Sequence, residues 1–309
     1  MNANSQPPTP VINDWLNNAT SRLSDVDITS ARLDAEMLLS HAFHKNRTYL
    51  HAHDNDHINQ KTLIIANNYL AQRLDRTPIA YIIGYKEFYG RKFAVTPETL
   101  IPRPESEDII TTLKSILISD STLSELTPNP QLLPSTYHLP YTTYQLPSTT
   151  YHLLDVGTGS GCLGITAKLE FPDLDVTLTD ISTNALKVAK INAKNLSVKI
   201  NLVTSDLLLN YTDKADIIIA NLPYVDKLWE RSAETNHEPQ LAIFAGNHGL
   251  ALNKNLIERS SNSLTNGGYL IIEADPVQHT ELIKYAKKHC FTKTHQLNYI
   301  IAFTFKQQN

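Results

Sequence analysis

The segment Asp216-Ile-Ile-Ile-Ala-Asn-Leu-Pro-Tyr-Val225 constrains the fold more than any other in the chain. Its unbroken run of strand formers, with no polar alternation, needs apolar cover on both faces. It therefore reads as a buried strand of a parallel sheet. The run stops at Asn221-Leu222-Pro223-Tyr224, which delivers an amide, a proline-stiffened backbone and an aromatic ring to the carboxyl end of that strand. Open α/β sheets bind ligands at that end. These groups suit the task of holding a planar –NH2 group still, and by themselves they do not distinguish a glutamine amide from the exocyclic amine of a base.

From Tyr151 onward, strand and helix patterns alternate, as in a doubly wound parallel sheet. Strands are predicted at 151–156, 175–180, 199–204, 216–221 and 268–273, with an antiparallel pair near 291–305. The front of the chain differs. Val11 to about Tyr81 is helical by pattern. Thr29 or Ser30 is placed to cap a helix carrying Ala31, Ala35, Leu38, Leu39 and Ala42 on one face, and a second helix runs through Leu63, Ala66, Leu70 and Leu74 and stops before Pro78.

These patterns predict a helical domain over 1–83, a hairpin and linker over 84–104, and an α/β domain over 105–309. Within the linker, Gly84–Val95 has hairpin spacing. Pro102 and Pro104 stiffen the chain around Arg103, and acidic residues then open a helix from about Glu105 to Ile118. The tract 119–150 interrupts this order. It carries Leu133-Pro-Ser-Thr-Tyr-His, Leu139-Pro-Tyr-Thr-Thr-Tyr-Gln and Leu146-Pro-Ser-Thr-Thr-Tyr-His, a repeat too short for a solenoid, and reads as a low-complexity surface insertion. Residues 1–10 are polar and proline-rich, a composition expected to be disordered. His41, His44, His51, His53 and His57 cluster in the helical region, but no cysteine or paired carboxylate completes a ligand set, so no metal is expected.

Composition limits the partners. A chain of 309 residues with 41% hydrophobic residues can bury a sizeable core in two units. Its net charge of −4 supplies no global basic field, which counts against binding nucleic acid. Two cysteines, Cys162 and Cys290, do not make a disulfide framework, and Met1-Asn-Ala-Asn-Ser-Gln lacks the pattern of a signal peptide. No apolar run approaches the roughly 18 residues that span a bilayer. A cytoplasmic setting away from membranes is the expectation.

The cofactor side is read from Leu153-Leu-Asp-Val-Gly-Thr-Gly-Ser-Gly161. Asp155 closes a strand, Gly157, Gly159 and Gly161 with Thr158 among them allow a sharp turn and a close ligand approach, and a helix from about Cys162 to Glu170 follows. Gly159, Gly161 and Gly164 also satisfy the dinucleotide fingerprint, so the loop alone leaves a nicotinamide enzyme open. Asp180 ends the second strand, where a carboxylate can take both ribose hydroxyls, and Asp206 follows the third, near an adenine edge. Asp155 adds charge that repels a pyrophosphate but tolerates a cation. These acids favour S-adenosylmethionine over a dinucleotide.

Taken in order, Glu87-Phe-Tyr-Gly90, Leu100-Ile-Pro-Arg-Pro-Glu105, Asp155–Gly161, Thr179-Asp-Ile-Ser182 with Ala185-Leu186, and Asn221-Leu-Pro-Tyr224 resemble the protein-(glutamine-N5) methyltransferases that modify peptide-chain release factors. The resemblance implies a Rossmann-like class I S-adenosylmethionine-dependent methyltransferase domain with a small all-helical N-terminal domain that grips the release factor. It also implies, as substrate, the glutamine of the factor's Gly-Gly-Gln motif. Asn221, Leu222, Pro223 and Tyr224 match the catalytic loop, where Asn221 and the carbonyl of residue 222 would accept the two amide hydrogens and Tyr224 would pack on the amide plane. The resemblance also sets Asn221 against the cofactor.

The chain has Leu222 where the family has proline. The lost φ restraint predicts looser positioning, and Leu222→Pro is expected to raise turnover. Glu238-Pro239 and Gly249-Leu250 also resemble the family's segment beyond the loop, and Glu238 stays open between a role bracing the site and a solvated loop acid. Three alternatives stay open: a methyltransferase for a ribosomal-protein glutamine, one for a nucleic-acid amine after base flipping, and a non-catalytic binder of the same fold.

Overall fold

The structure is a computed structural model that describes residues 9–119 and 151–307. The repeat-bearing tract and the extreme N-terminus lie outside the described residues. The chain divides into two compact units, Met1–Tyr85 with Arg231–His237, and Lys86–Glu230 with Glu238–Asn309. The division falls inside the hairpin, two residues after the predicted boundary at 83, and the short segment 231–237 belongs with the first unit.

The first unit holds helices α1 (Ile12–Ser24), α2 (Ala31–Phe43), α3 (Arg47–Ala52), α4 (Gln60–Leu74) and α5 (Ile79–Ile83). Their apolar stripes meet in one core that includes Ile12, Leu16, Leu38, Leu39, Leu50 and Leu70. The expected cap of α2 differs. Ser30 occupies the N-cap position, yet its side chain accepts no capping hydrogen bond. At α4, by contrast, the Asn59 side chain accepts from Thr62 N; the helix ends at Leu74 with Asp75 as its C-cap, and Pro78 takes the N-cap position of α5. Arg73 is nearly fully buried and is paired with Asp34 at 2.7 Å and Glu234 at 3.0 Å, so its charge is compensated where an unpaired guanidinium would be costly. His41 and His44 stand 6.2 Å apart, with His41 against Tyr69.

The second unit opens with the hairpin β1 (Tyr85–Phe88) and β2 (Arg91–Ala94), turned through Tyr89 and Gly90 at φ +49° and +72°. A 3-10 turn at Pro104–Ser106 leads into α6 (Glu107–Ser119). Then follow β3 (His152–Val156), α7 (Cys162–Glu170), β4 (Asp175–Asp180), α8 (Thr183–Asn195), β5 (Asn201–Thr204) and β6 (Ala215–Ala220). The chain ends with α9 (Ala251–Ser263), β7 (Leu264–Glu273), α10 (Pro276–Lys288), β8 (Phe291–Leu297) and β9 (Ile300–Phe305). The strands form one sheet in the order β5-β4-β3-β6-β7-β9-β8, in which β9 is antiparallel to both neighbours.

The apolar run of β6 divides between the two faces by strand alternation. Ile217 and Ile219 face a core completed by Ile109, Leu113, Leu163 and Ala189, while Ile218 and Ala220 face Leu256, Ile257, Leu282 and Ala286. Burial on both faces explains why its sequence showed no alternation. Strand order reverses between β3 and β6, so the carboxyl ends of these strands border a crevice, the ligand position of such sheets. No helix of the described residues is long and apolar enough to cross a membrane.

Candidate active site

A cavity of about 340 Å³ opens at that crevice, wholly within the second unit. It is large enough for a small-molecule ligand. Gly157, Thr158, Gly159, Asp180, Asp206, Asn221, Leu222 and Pro223 line it, so eight of the residues singled out from sequence converge on one space. Asp155, Gly161 and Tyr224 stand outside its lining.

The glycine loop is held from beneath. Thr158 N donates to Thr179 O at 2.9 Å, tying the loop to the end of β4. Gly157, Gly159 and Gly161 have φ of +70°, +54° and +81°, a region costly for residues with a Cβ. A Cβ on Gly161 would meet Ile165 Cδ1 at 2.7 Å, so this glycine serves helix packing instead of ligand contact. The side chain of fully buried Asn192 links the glycine turn to the end of β2. It donates to Ser160 O at 2.8 Å, and it exchanges hydrogen bonds with the backbone of Ala94.

Asp180 is oriented by the loop it faces. One carboxylate oxygen accepts from Gly159 N at 2.9 Å and the other from Ser182 N at 2.8 Å. Burial raises its pKa, against the pull of these backbone donors. Each oxygen keeps acceptor capacity for a hydroxyl. Asp206 is exposed at the cavity wall.

Asp155 departs from the reading that set its charge toward the cofactor. Its Oδ2 accepts from Thr158 Oγ1 at 2.6 Å and Gly164 N at 2.9 Å, and the residue is fully buried beneath the loop. It braces the loop against the start of α7. Burial pushes its carboxyl up to about 6, the two hydrogen bonds working in the other direction.

The folded state therefore holds this proton more tightly than the unfolded chain. The associated stability is present below the ordinary value of 3.8 and is lost as pH rises through about 6. The loss is on the order of 3 kcal/mol. Urea midpoints followed from about pH 4 to about pH 7.5 should show the wild type losing ground to Asp155→Asn as pH rises. Parallel curves would refute the shift.

Leu222 is 4% exposed, and its Cδ2 lies 2.7 Å from the place a Cβ on Gly157 would take. The loop after β6 is thus fastened to the glycine loop by a packed isobutyl group. This alters the expectation for Leu222→Pro, because the exchange that restores a stiff φ also removes that packing. A gain in turnover no longer follows.

Tyr224 also differs from the role expected of it. Its hydroxyl donates to Glu273 Oε1 at 3.0 Å, and its carbonyl accepts from Gln278 Nε2 at 2.9 Å. Burial, with Glu273 beside it, raises the phenol above its ordinary range, so it stays a neutral donor. Gly249 makes the second anchorage possible, since a Cβ there would stand 1.9 Å from Tyr224 O. Tyr224 therefore ties the loop down through both its hydroxyl and its carbonyl. Asn221 Nδ2 donates to Ser106 Oγ at 2.8 Å, and Ser106 Oγ donates to Glu273 Oε2 at 2.6 Å.

Sequence reasoning left Glu238 open between a bracing role and a solvated loop acid. The structure buries it at 5% exposure, with Oε1 accepting from Arg103 at 2.5 Å and Oε2 from Ile101 N at 3.1 Å. It fixes the proline-flanked segment along the cavity. Cys162 also lines the cavity, and burial pushes its thiol up to about 12. A thiol so protonated is a packing group and a poor nucleophile.

Sequence reasoning did not single out Ser106, Asn192, Glu273 or Gln278. Ser106 lay inside a quoted motif, and Glu273 is an acid ending a buried strand, which was a usable signal.

The chain also matches known families. A family model described as the PrmC N-terminal domain matches residues 14–84, and one described as the methyltransferase small domain matches residues 141–238. A bifunctional methyltransferase of Rickettsia bellii (strain RML369-C) is 34% identical over 271 residues, covering 85% of this chain and 48% of the relative. The chain thus spans about half the length of such bifunctional relatives. The release factor glutamine methyltransferase of Koribacter versatilis (strain Ellin345) is 34% identical over 271 residues, covering 84% of this chain and 86% of the relative. That of Coxiella burnetii is 32% identical, with 83% of each covered. By this identity along most of both chains, joined to the glycine loop and the Asn221 loop at one crevice, the chain belongs to the release factor glutamine methyltransferase family.

Proposed function

We propose that the protein transfers a methyl group from S-adenosylmethionine to the side-chain amide nitrogen of the glutamine in the Gly-Gly-Gln motif of peptide-chain release factors. The cavity suits that cofactor. Its floor is a turn whose glycine φ angles admit close approach, Asp180 faces it with acceptor capacity for hydroxyls, and Asp206 stands at the wall. When bound, S-adenosylmethionine supplies an electrophilic methyl group on a positive sulfur.

The protein's own residues supply position. An amide nitrogen is a weak nucleophile because its lone pair is delocalised into the carbonyl, so alignment carries the rate. Asn221 reaches the cavity with Nδ2 already bonded to Ser106, and the atom it has to offer is the acceptor Oδ1. This is the observation that carries the proposal. Oδ1 and the Leu222 carbonyl would accept the two N–H groups of the substrate amide, aiming the nitrogen's π-face at the methyl. On gaining the methyl the amide nitrogen would turn positive and release one of these two protons to water, the rest of the cofactor leaving as a neutral thioether. The helical unit is assigned to gripping the factor, in a cytoplasmic setting, with no direct contact to nucleic acid or membrane.

The test is transfer of labelled methyl to a purified release factor. Label is expected on the natural factor and lost when the Gly-Gly-Gln glutamine is replaced. Label that persists on the replaced factor would refute the assignment, and label on duplex nucleic acid would favour the base-amine alternative.

A further inference from the structure

An asparagine amide presents two chemically opposite atoms, and nothing in Asn221 itself decides which one meets the substrate. The decision lies behind it, in a chain of hydrogen bonds joining the ends of β6 and β7 to the turn before α6. Asn221 Nδ2 donates to Ser106 Oγ, Ser106 donates to Glu273 Oε2, and Tyr224 donates to Glu273 Oε1, at 2.8, 2.6 and 3.0 Å. Ser106 is 2% exposed and Glu273 1%, so water does not compete freely for these partners.

The polarity of this chain runs one way. Burial raises the Glu273 carboxyl and the Ser106 and Tyr224 hydroxyls pull it back down; in its ionised form it only accepts, so both hydroxyl protons point at it. Ser106 has then spent its single proton and can only accept from its other neighbour. That neighbour must be the –NH2 end of Asn221, which leaves Oδ1 for the cavity side. We infer that Ser106 and Glu273 are positioning residues that set the orientation of the Asn221 amide, making it an acceptor for the substrate –NH2. The kinetic part of this inference rests on the proposed amide methylation; the hydrogen-bond part does not.

Glu273→Gln tests polarity at nearly constant shape. A glutamine can donate to Ser106 Oγ, freeing the serine proton for Asn221 Oδ1 and reversing the amide. Ser106→Ala removes the link, and Ser106→Thr keeps it. The first measurement is by NMR on the full chain, following solvent exchange of the Asn221 side-chain –NH2 protons, assigned by their absence in Asn221→Ala. Exchange should quicken by about tenfold or more in Ser106→Ala and Glu273→Gln and return toward wild type in Ser106→Thr. Unchanged exchange in both variants would overturn the relay, whatever the protein methylates.

The second measurement is kinetic. The turnover number is expected to fall by about 10- to 100-fold in both variants, with KM for the release factor and calorimetric affinity for S-adenosylmethionine within about threefold of wild type. Turnover equal to wild type, a loss of cofactor affinity parallel to the loss of turnover, or a threonine variant no better than the alanine one would each overturn the positioning role. A wild type that methylates no glutamine would instead count against the proposed substrate, leaving the exchange measurement to judge the relay.

Discussion

Asn221→Ala should lower the turnover number by about a thousandfold while changing S-adenosylmethionine affinity less than about tenfold. The size follows from the chemistry proposed. No acid, base or metal among the assigned residues is asked to generate a nucleophile, so the barrier is lowered by holding a delocalised nitrogen in line with the methyl carbon. Asn221 supplies one of two acceptors for that purpose, and its own orientation is fixed through Nδ2 at 2.8 Å from Ser106. Truncation deletes the acceptor and leaves Ser106 Oγ, 2% exposed at the residue level, without its donor. Cofactor affinity should suffer less because Gly159 and Asp180 are tied to each other independently of Asn221. Single-turnover rates with saturating cofactor, beside calorimetric titration, make the comparison. Equal losses in both would show that Asn221 serves cofactor binding.

Gly157→Ala should destabilise the second unit by about 2–4 kcal/mol and weaken S-adenosylmethionine binding by about 10- to 100-fold. Two causes add. At φ +70° an alanine is strained, and its Cβ would sit 2.7 Å from Leu222 Cδ2. The second cause is separable, because Leu222→Ala removes the clashing atom. Alone, Leu222→Ala should cost about 2–4 kcal/mol, since the side chain is 4% exposed and packs between the two loops. Together the two exchanges should cost less than their sum by about 1 kcal/mol or more, measured by urea unfolding. Strict additivity would show that the loops do not bear on each other through this contact.

Much of the site was readable before any coordinates, for a definite reason. Residues that line the cavity follow strand ends at short range, so Gly157, Gly159, Asp180 and Asp206 could be found by locating strands and reading the next few positions. Asn221 was legible in the same way, at the break of the run Ile217–Ala220. The readings that changed concerned side chains whose direction depends on distant neighbours. Asp155 was read as a charge facing the ligand, yet Gly164 N, nine residues on, turns it under the loop. Tyr224 was read as a platform, and Glu273, from the adjacent strand, draws its hydroxyl away. Glu238 was undecided until Arg103 and Ile101 were seen beside it.

By itself, the sequence determined the doubly wound sheet, the helical first unit, the glycine turn and the amide at the strand end. Local periodicity and glycine or proline chemistry act over a few residues and leave a local trace. Only the tertiary structure decided which atom of Asn221 is offered, what Leu222 packs on and why Ser106 matters. Those outcomes follow from hydrogen-bond polarity and close packing between segments more than a hundred residues apart in the case of Ser106 and Asn221, where the pair is separated by 115 positions and meets at 2.8 Å. No pattern in the chain records such a meeting, because its physical cause is the packing of α6 on the sheet, which sets the turn at Ser106 beside the carboxyl ends of the parallel pair β6 and β7.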